Sequence, residues 1–396
     1  MTGFFRDRVL SLALAWTINS LAYSIVYPFI PIYLNKQRGV PYSTVGVIYP
    51  LMSGAIILAP MIVGPLIDRI GCRFALQFGQ SGRGLVFLLL ALMAFCHAPF
   101  WFFAAMLALN AGIGTFFQIG ADAYLNDITT PADRGRHYGK IRIGTNIGWM
   151  VGPMLGAFLA QLPFGIVFML TAGLCFLGAL YTRQVCNYTV LRRKEPESKL
   201  SVYQLLGDRH LIGMLFCALL LFFLTSQLYS SLSPFARDVI GISSEALGFI
   251  YGLNGCVIIL FQLPVIRALE HLKLSPLQRL VVGALFYLVG YFSIGFALNG
   301  WMLAASVVVL TIGEAAVTPS LFLCISRLAP AGCVGRYMAA LELTRGIGYA
   351  AGPFFGLHAL AAFPGRPVLL WGVLSLFAVA AAAGFWLLSR TRLPEP

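Results

Sequence analysis

Gly144-Thr145-Asn146-Ile147-Gly148-Trp149-Met150-Val151-Gly152-Pro153-Met154-Leu155-Gly156 returns at a spacing of 200 as Thr344-Arg345-Gly346-Ile347-Gly348-Tyr349-Ala350-Ala351-Gly352-Pro353-Phe354-Phe355-Gly356. The surroundings repeat in the same register, with Gly135-Arg136 upstream of the first copy and Gly335-Arg336 upstream of the second. A second echo sets Gly46-Val47-Ile48-Tyr49 against Gly248-Phe249-Ile250-Tyr251. The chain therefore reads as two related halves, and each half is too apolar for water. In the first copy, glycines at every fourth position fall on one helix face. That spacing lets helix backbones approach closely in lipid, and Pro153 and Pro353 add local bends. Tight packing alone would account for these glycines, and their return in the second half favours a structural role.

Of the 396 residues, 59% are hydrophobic and only 10% charged, against about 25% charged in soluble domains. The apolar content divides into twelve segments of ~20 residues or more, each able to cross a hydrocarbon core ~30 Å thick. The spans are expected near 9–34, 42–68, 72–96, 98–124, 137–161, 163–184, 210–235, 244–268, 276–298, 300–327, 335–361 and 365–389. This gives six per half, with a bundle at 1–184, a polar connector at 185–209 and a second bundle at 210–396. The expected fold class is an all-α membrane protein of twelve transmembrane helices in two pseudo-symmetric six-helix bundles.

The net charge of +13 does not point to nucleic acid. Of the 27 Lys and Arg, Lys36, Arg38, Arg237 and Arg366 fall in outer loops and Arg83 within span 3. That leaves 22 at inner loops, inner span ends or termini. Such a bias sets an inner-membrane topology with both termini cytoplasmic. No cleavable signal peptide is read, because the apolar run after Arg6 and Arg8 is too long for one. The eight cysteines contain no C-x-x-C pair and read as small packing residues. The five histidines show no metal spacing, and no phosphate-cradling G-x-x-x-x-G-K-S/T loop is present. Metal sites, cofactors, ATP coupling and enzyme chemistry are therefore not expected.

The loop between spans 2 and 3 reads Gly64-Pro65-Leu66-Ile67-Asp68-Arg69-Ile70-Gly71-Cys72-Arg73. It resembles the G-x-L-x-D-R-x-G-R-R/K signature of the major facilitator superfamily. Gly64, Asp68, Arg69, Gly71 and Arg73 match, while Cys72 stands where a second base is usual. The resemblance implies a charge latch closing the cytoplasmic side. The Gly-x-x-x-Gly-Pro-x-x-Gly run of span 5 is similar to that of the twelve-span drug:proton antiporters in this superfamily. Gly313-Glu314-Ala315-Ala316-Val317-Thr318-Pro319-Ser320 resembles a stretch of some proton-driven multidrug exporters. There the acid is implicated in proton or cation handling, which implies proton coupling at Glu314, with Asp122 as the next candidate. A carboxylate halfway along an apolar span is expensive and faces a polar cavity or a partner, so a structural hydrogen-bonding role stays open.

Two departures stand out. The arginine common in span 4 of antiporters is missing, with Leu109 and Asn110 at the matching positions. Arg83, deep in span 3, must find a carboxylate or water. Asn19, Tyr23, Tyr27, Gln118, Gln227, Tyr229, Tyr251, Asn254 and Glu314 are expected to line a substrate cavity. Many aromatics and few fixed charges suit a lipophilic, neutral or cationic compound. Two similar halves around a central site are how many secondary transporters are built, and the expectation is proton-coupled efflux by alternating access. Uptake or flipping of a specific metabolite, lipid or siderophore-like compound stays open, as does a non-transporting membrane sensor or scaffold. Expected partners are a small-molecule substrate, protons and membrane lipids, with the chain acting as a monomer.

Overall fold

The computed structural model describes residues 7–129, 134–185, 207–330 and 333–390. Among these residues all regular structure is helical, in twelve long segments. Helix α1 runs Arg8–Lys36, interrupted at Tyr27–Phe29 by a tighter turn that carries Pro28. Next come α2 (Ile48–Ile70, after a short turn at Tyr42–Gly46), α3 (Cys72–Phe95), α4 (Phe100–Ile128), α5 (Arg134–Leu159) and α6 (Phe164–Val185). The second series is α7 (Arg209–Ile240), α8 (Ser244–His271), α9 (Pro276–Ile294), α10 (Gly300–Leu328), α11 (Val334–Ala362) and α12 (Pro367–Arg390). These bounds fall within a few residues of those expected. The connector expected at 185–209 lies mostly outside the described residues.

Ten of the twelve helices are long and apolar enough to cross a membrane on composition alone. The other two are α5 and α11, which carry the glycine repeats. Their lower apolarity has a physical source: glycines replace aliphatic side chains along one face, and Lys140, Arg142, Glu342 and Arg345 add charge to the first halves of the two helices. Lipid-style outer surfaces appear elsewhere, for example Leu177 and Trp301 standing exposed on α6 and α10.

Local chemistry starts and stops the helices. Asp7 caps α1 by accepting from the N–H groups of Val9 and Leu10. Asp208 caps α7 in the same way, through His210 and Leu211. The caps sit 201 positions apart, so the internal repeat extends to the helix starts. Each cap also ties down the fifth helix of its half. Lys140 on α5 approaches Asp7 at 3.2 Å, and the Tyr337 hydroxyl on α11 donates to Asp208 at 2.8 Å. Between α2 and α3, Gly71 turns the chain at φ 86°, a left-handed value that side chains disfavour.

The chain forms two compact units, 1–194 with 244–255 and 195–243 with 256–396. Within the first, α1 packs on α5 and α6, and α3 packs on α4 and α6. Within the second, α7 packs on α11 and α12, and α9 packs on α10 and α12. The same four pairings recur with every helix number raised by six, which is the pseudo-symmetry of the fold. The first unit's core runs from Leu12 through Leu76, Phe117 and Tyr124. In the second, Trp371 stacks on Tyr291 and meets Phe235 edge-on, all three buried.

Candidate functional site

The glycine faces come first, because they set how closely the site-bearing helices approach. A Cβ built on Gly144 would lie 2.5 Å from the Ala13 carbonyl oxygen, and one on Gly148 2.6 Å from Ser20 Cβ. On Gly152 it would overlap Ser24 Oγ, and on Gly156 the Ile25 carbonyl. The second unit repeats the arrangement. A Cβ on Gly348 would lie 2.6 Å from Phe222 Cβ, while on Gly352 and Gly356 it would overlap Ser226 and Gln227. Hydrogen bonds cross the same seams. Ser24 donates to the Gly148 carbonyl at 3.0 Å, and Gln227 Nε2 donates to the Gly352 carbonyl at 2.7 Å. Gln227 also accepts from Ser231 at 2.7 Å and is fully buried. The structure thus uses Gln227 as a clasp between α7 and α11, a role its polarity alone did not reveal.

The first unit holds an aromatic nest. Tyr23 stacks on Tyr27 at 4.9 Å, and Trp149 from α5 meets both edge-on at 5.9 and 6.1 Å. Tyr49 from α2 approaches Tyr27 at 5.8 Å. Tyr251 and Asn254, on the segment of α8 that belongs to this unit, are buried, whereas Gln118 on α4 is exposed. That α8 segment uses glycines too: a Cβ on Gly255 would lie 2.5 Å from Met150 Cβ.

Against the nest stands Arg83, at the middle of α3 and 4% exposed. Nη1 donates to Asn19 Oδ1 at 2.6 Å and Nε donates to Asn110 Oδ1 at 3.3 Å. The guanidinium also lies 5.2 Å from the centre of the Tyr23 ring. Sequence reasoning required a carboxylate or water for this arginine, and the described chain supplies two asparagine carbonyls and a ring face instead. Asn110 is one of the two positions where span 4 lacks its expected arginine, so the cation reaches that place from α3. A polar residue on each of the apolar spans 1, 3 and 4 was the available signal, but nothing in their spacing joined them.

In the second unit, Glu314 stands at the midpoint of the 29-residue α10 and is partly exposed. The hydroxyls of Tyr287, Tyr291 and Tyr349 are among the groups within its electrostatic reach. Tyr287 in turn shares a 3.0 Å hydrogen bond with Thr225 on α7. Tyr229 is partly buried on the same helix. In the α2–α3 turn, Gly71 supplies the sharp reversal, Gly64 has open space around it, Arg69 is exposed and Arg73 half-buried. The Asp68 side chain lies outside the described residues. Asp122 is exposed towards the end of α4. Among the described residues no group of His, Cys, Asp and Glu is arranged to hold a metal ion.

These features define a multi-span helical membrane protein built from a duplicated bundle. The sequence profile of the Major Facilitator Superfamily matches residues 12–353, and the chain belongs to that superfamily. It is 24% identical over 382 residues to the multidrug resistance protein MdtH of Salmonella newport (strain SL254), covering 95% of this chain and 92% of MdtH. It is also 24% identical over 359 residues to the uncharacterized MFS-type transporter YttB of Bacillus subtilis (strain 168), covering 87% and 86%. Among solved structures, a bacterial homologue of the human lysosomal transporter Spinster superposes with a TM-score of 0.79 at 14% identity, covering 98% of each chain. A POT-family transporter in complex with 5-aminolevulinic acid superposes with a TM-score of 0.78 at 14% identity, covering 96% and 95%. At these identities the superpositions establish the fold.

Proposed function

We propose that this multi-pass transporter is a proton-coupled exporter of lipophilic, amphipathic small molecules. It works by alternating access as a monomer in the inner membrane of a bacterium, with both termini cytoplasmic and protons and lipids as its other partners. The observation that carries the reading is Glu314. Among the described residues of the second unit it is the one acid at the midpoint of a helix, and the Tyr287, Tyr291 and Tyr349 hydroxyls lie within its electrostatic reach. An ionised carboxylate at that depth is costly, and protonation or a bound partner relieves the cost. Gain and loss of a proton at this one group can therefore be linked to cargo movement, which is the coupling a proton-driven transporter needs. The likeness to MdtH supports the export direction.

The test uses purified protein in liposomes with an imposed pH gradient, after a thermal-shift screen of lipophilic compounds has found a ligand. Wild type should move that ligand against its gradient. Glu314→Gln keeps the shape and removes the titration, so it should abolish gradient-driven movement while still binding. Uphill transport with wild-type pH dependence in the Gln variant would remove Glu314 from the coupling role. A wild-type protein that moves nothing would leave a sensor or scaffold.

A further inference from the structure

Arg83 presents an unbalanced charge. An arginine stays protonated at any physiological pH, so burial cannot relieve it by losing a proton. Its partners, Asn19, Asn110 and Tyr23, are all neutral. Among the described residues no carboxylate pairs with it. The other described acids of its unit fall elsewhere: Asp7 caps the start of α1, Asp122 and Asp127 lie twelve and seventeen residues, about 18 and 25 Å, along α4 from Asn110, and Glu245 at the start of α8 accepts from Gln161. Nη2 makes no hydrogen bond to any described residue. The amide nitrogen of Asn110, whose oxygen is committed to Arg83, is also buried without a partner. One helical turn before Arg83, both amide atoms of the fully buried Gln80 lack partners. The surroundings of Arg83 therefore carry a full positive charge and an unpartnered Asn110 N–H donor, beside an aromatic nest formed by Tyr23, Tyr27 and Trp149.

We propose that Arg83, with Asn19 and Asn110, is the anchor for an acidic group on the transported molecule, and that the adjoining aromatic nest takes its apolar body. The cargo is then an amphipathic organic anion, bearing a carboxylate, sulfonate or phosphate. A planar guanidinium suits such groups because it donates two parallel charge-assisted hydrogen bonds. The inference rests on the transporter reading and reverses the charge that the sequence alone suggested for the cargo. It also gives the span 3 arginine a use: the cation held against Asn110 is positioned for the substrate and needs no partner in the resting chain.

The experiment compares 2-naphthoate with 2-naphthamide, two probes with one ring system and different charge. Binding to the full-length protein in detergent is measured by calorimetry, with thermal unfolding as the check of folding. Wild type should favour naphthoate by roughly tenfold or more, the scale of one charge-assisted contact in a partly desolvated site. Arg83→Gln should erase the preference. Because that variant removes two hydrogen bonds and could fail to fold, Asn110→Asp provides an independent arm. It places a carboxylate beside Arg83, so the protein should stay folded and the anion preference should disappear. Equal binding of both probes by wild type, or a preference that survives in a folded Arg83→Gln or Asn110→Asp protein, would overturn the proposal. So would chloride protecting the protein as strongly as naphthoate, which would mean a site for small inorganic ions. The two readings fail separately. Naphthoate preference without pH-driven transport keeps this anchor and removes the exporter. Glu314-dependent transport without the preference does the reverse.

Discussion

Gly148→Ala is the smallest change that tests how the first bundle is held together. The added Cβ would lie 2.6 Å from Ser20 Cβ and 2.8 Å from both Leu21 N and the Thr17 carbonyl oxygen. Two of these three neighbours are backbone atoms, so no side-chain rotation clears the overlap. Restoring an ordinary 3.4 Å contact with Ser20 requires α1 and α5 to separate locally by about 0.8 Å. Overpacking of this kind costs about 1–3 kcal/mol. The separation also stretches the 3.0 Å bond from Ser24 to the Gly148 carbonyl, and such interhelical bonds contribute about 0.6 kcal/mol. A total near 2–3 kcal/mol, at roughly 2–4 °C per kcal/mol, lowers Tm by about 5–10 °C. The assay is thermal unfolding in detergent with a thiol-reactive dye, for which buried Cys72 and Cys175 are natural reporters. Gly173→Ala on α6 is the control, since nothing lies within 4 Å of its added Cβ. There the same substitution removes a mid-helix glycine and should be neutral or stabilising by about 0.5–1 kcal/mol. If the two variants move Tm in the same direction by similar amounts, the close-approach account of the glycine face is wrong.

Gly348→Ala, whose Cβ meets Phe222 Cβ at 2.6 Å, should match Gly148→Ala in sign and size; an unchanged Tm there would mean the two seams are not equivalent. Asp68→Asn should leave insertion and folding intact but depress transport and bias the protein inward-facing; unchanged transport and unchanged distances between spin labels on the two faces would reduce Asp68 to a topology charge. Single cysteines placed near Lys36 or Arg237 should react with impermeant reagents outside intact cells, while cysteines in 185–209 should not, and outside labelling of that connector would invert the orientation. Asp7 carries a pH dependence. Burial pushes its carboxyl up, but the Leu10 N–H, the Lys140 ammonium and the Val9 N–H together hold it below the ordinary 3.8. Because the folded value is the lower one, the stabilisation is present above pH ~4 and is lost as pH falls through the folded value. The pair is well exposed, so Asp7→Asn, which keeps a capping oxygen, should cost under about 1 kcal/mol near neutral pH. Asp7→Ala should cost about 1 kcal/mol more through the lost cap, and equal losses in the two variants would refute this division.

Much of the architecture was legible along the chain because its rules are local. A span needs only enough consecutive apolar residues to cross a hydrocarbon layer, so the twelve helices could be placed within a few residues. Four-residue spacing puts Gly144, Gly148, Gly152 and Gly156 on one face whatever that face meets. The duplication, read from those glycines, reappears in the shared helix pairings and in Asp7 and Asp208 capping the first helix of each half. Spans 5 and 11 were placed as well, at 137–161 and 335–361, although α5 and α11 fall short on hydropathy alone, because glycine that serves packing lowers the apolarity by which a span is recognised.

What the chain order could not supply is which helix stands beside which. Arg83, Asn19 and Asn110 are 64 and 27 positions apart, and each alone looks like a stray polar residue in an apolar span. Only the packing of α3 against its neighbours brings them together and shows the guanidinium held by neutral groups. Gln227 looked like cavity lining until the approach of α7 to α11 gave its amide the Gly352 carbonyl. Residues 244–255 pack with the first unit although they follow the connector. Hydropathy and periodicity are properties of one helix at a time and survive in the sequence. Partnership between helices depends on how side-chain surfaces fit across tens to hundreds of residues, and that is decided only when the bundle closes.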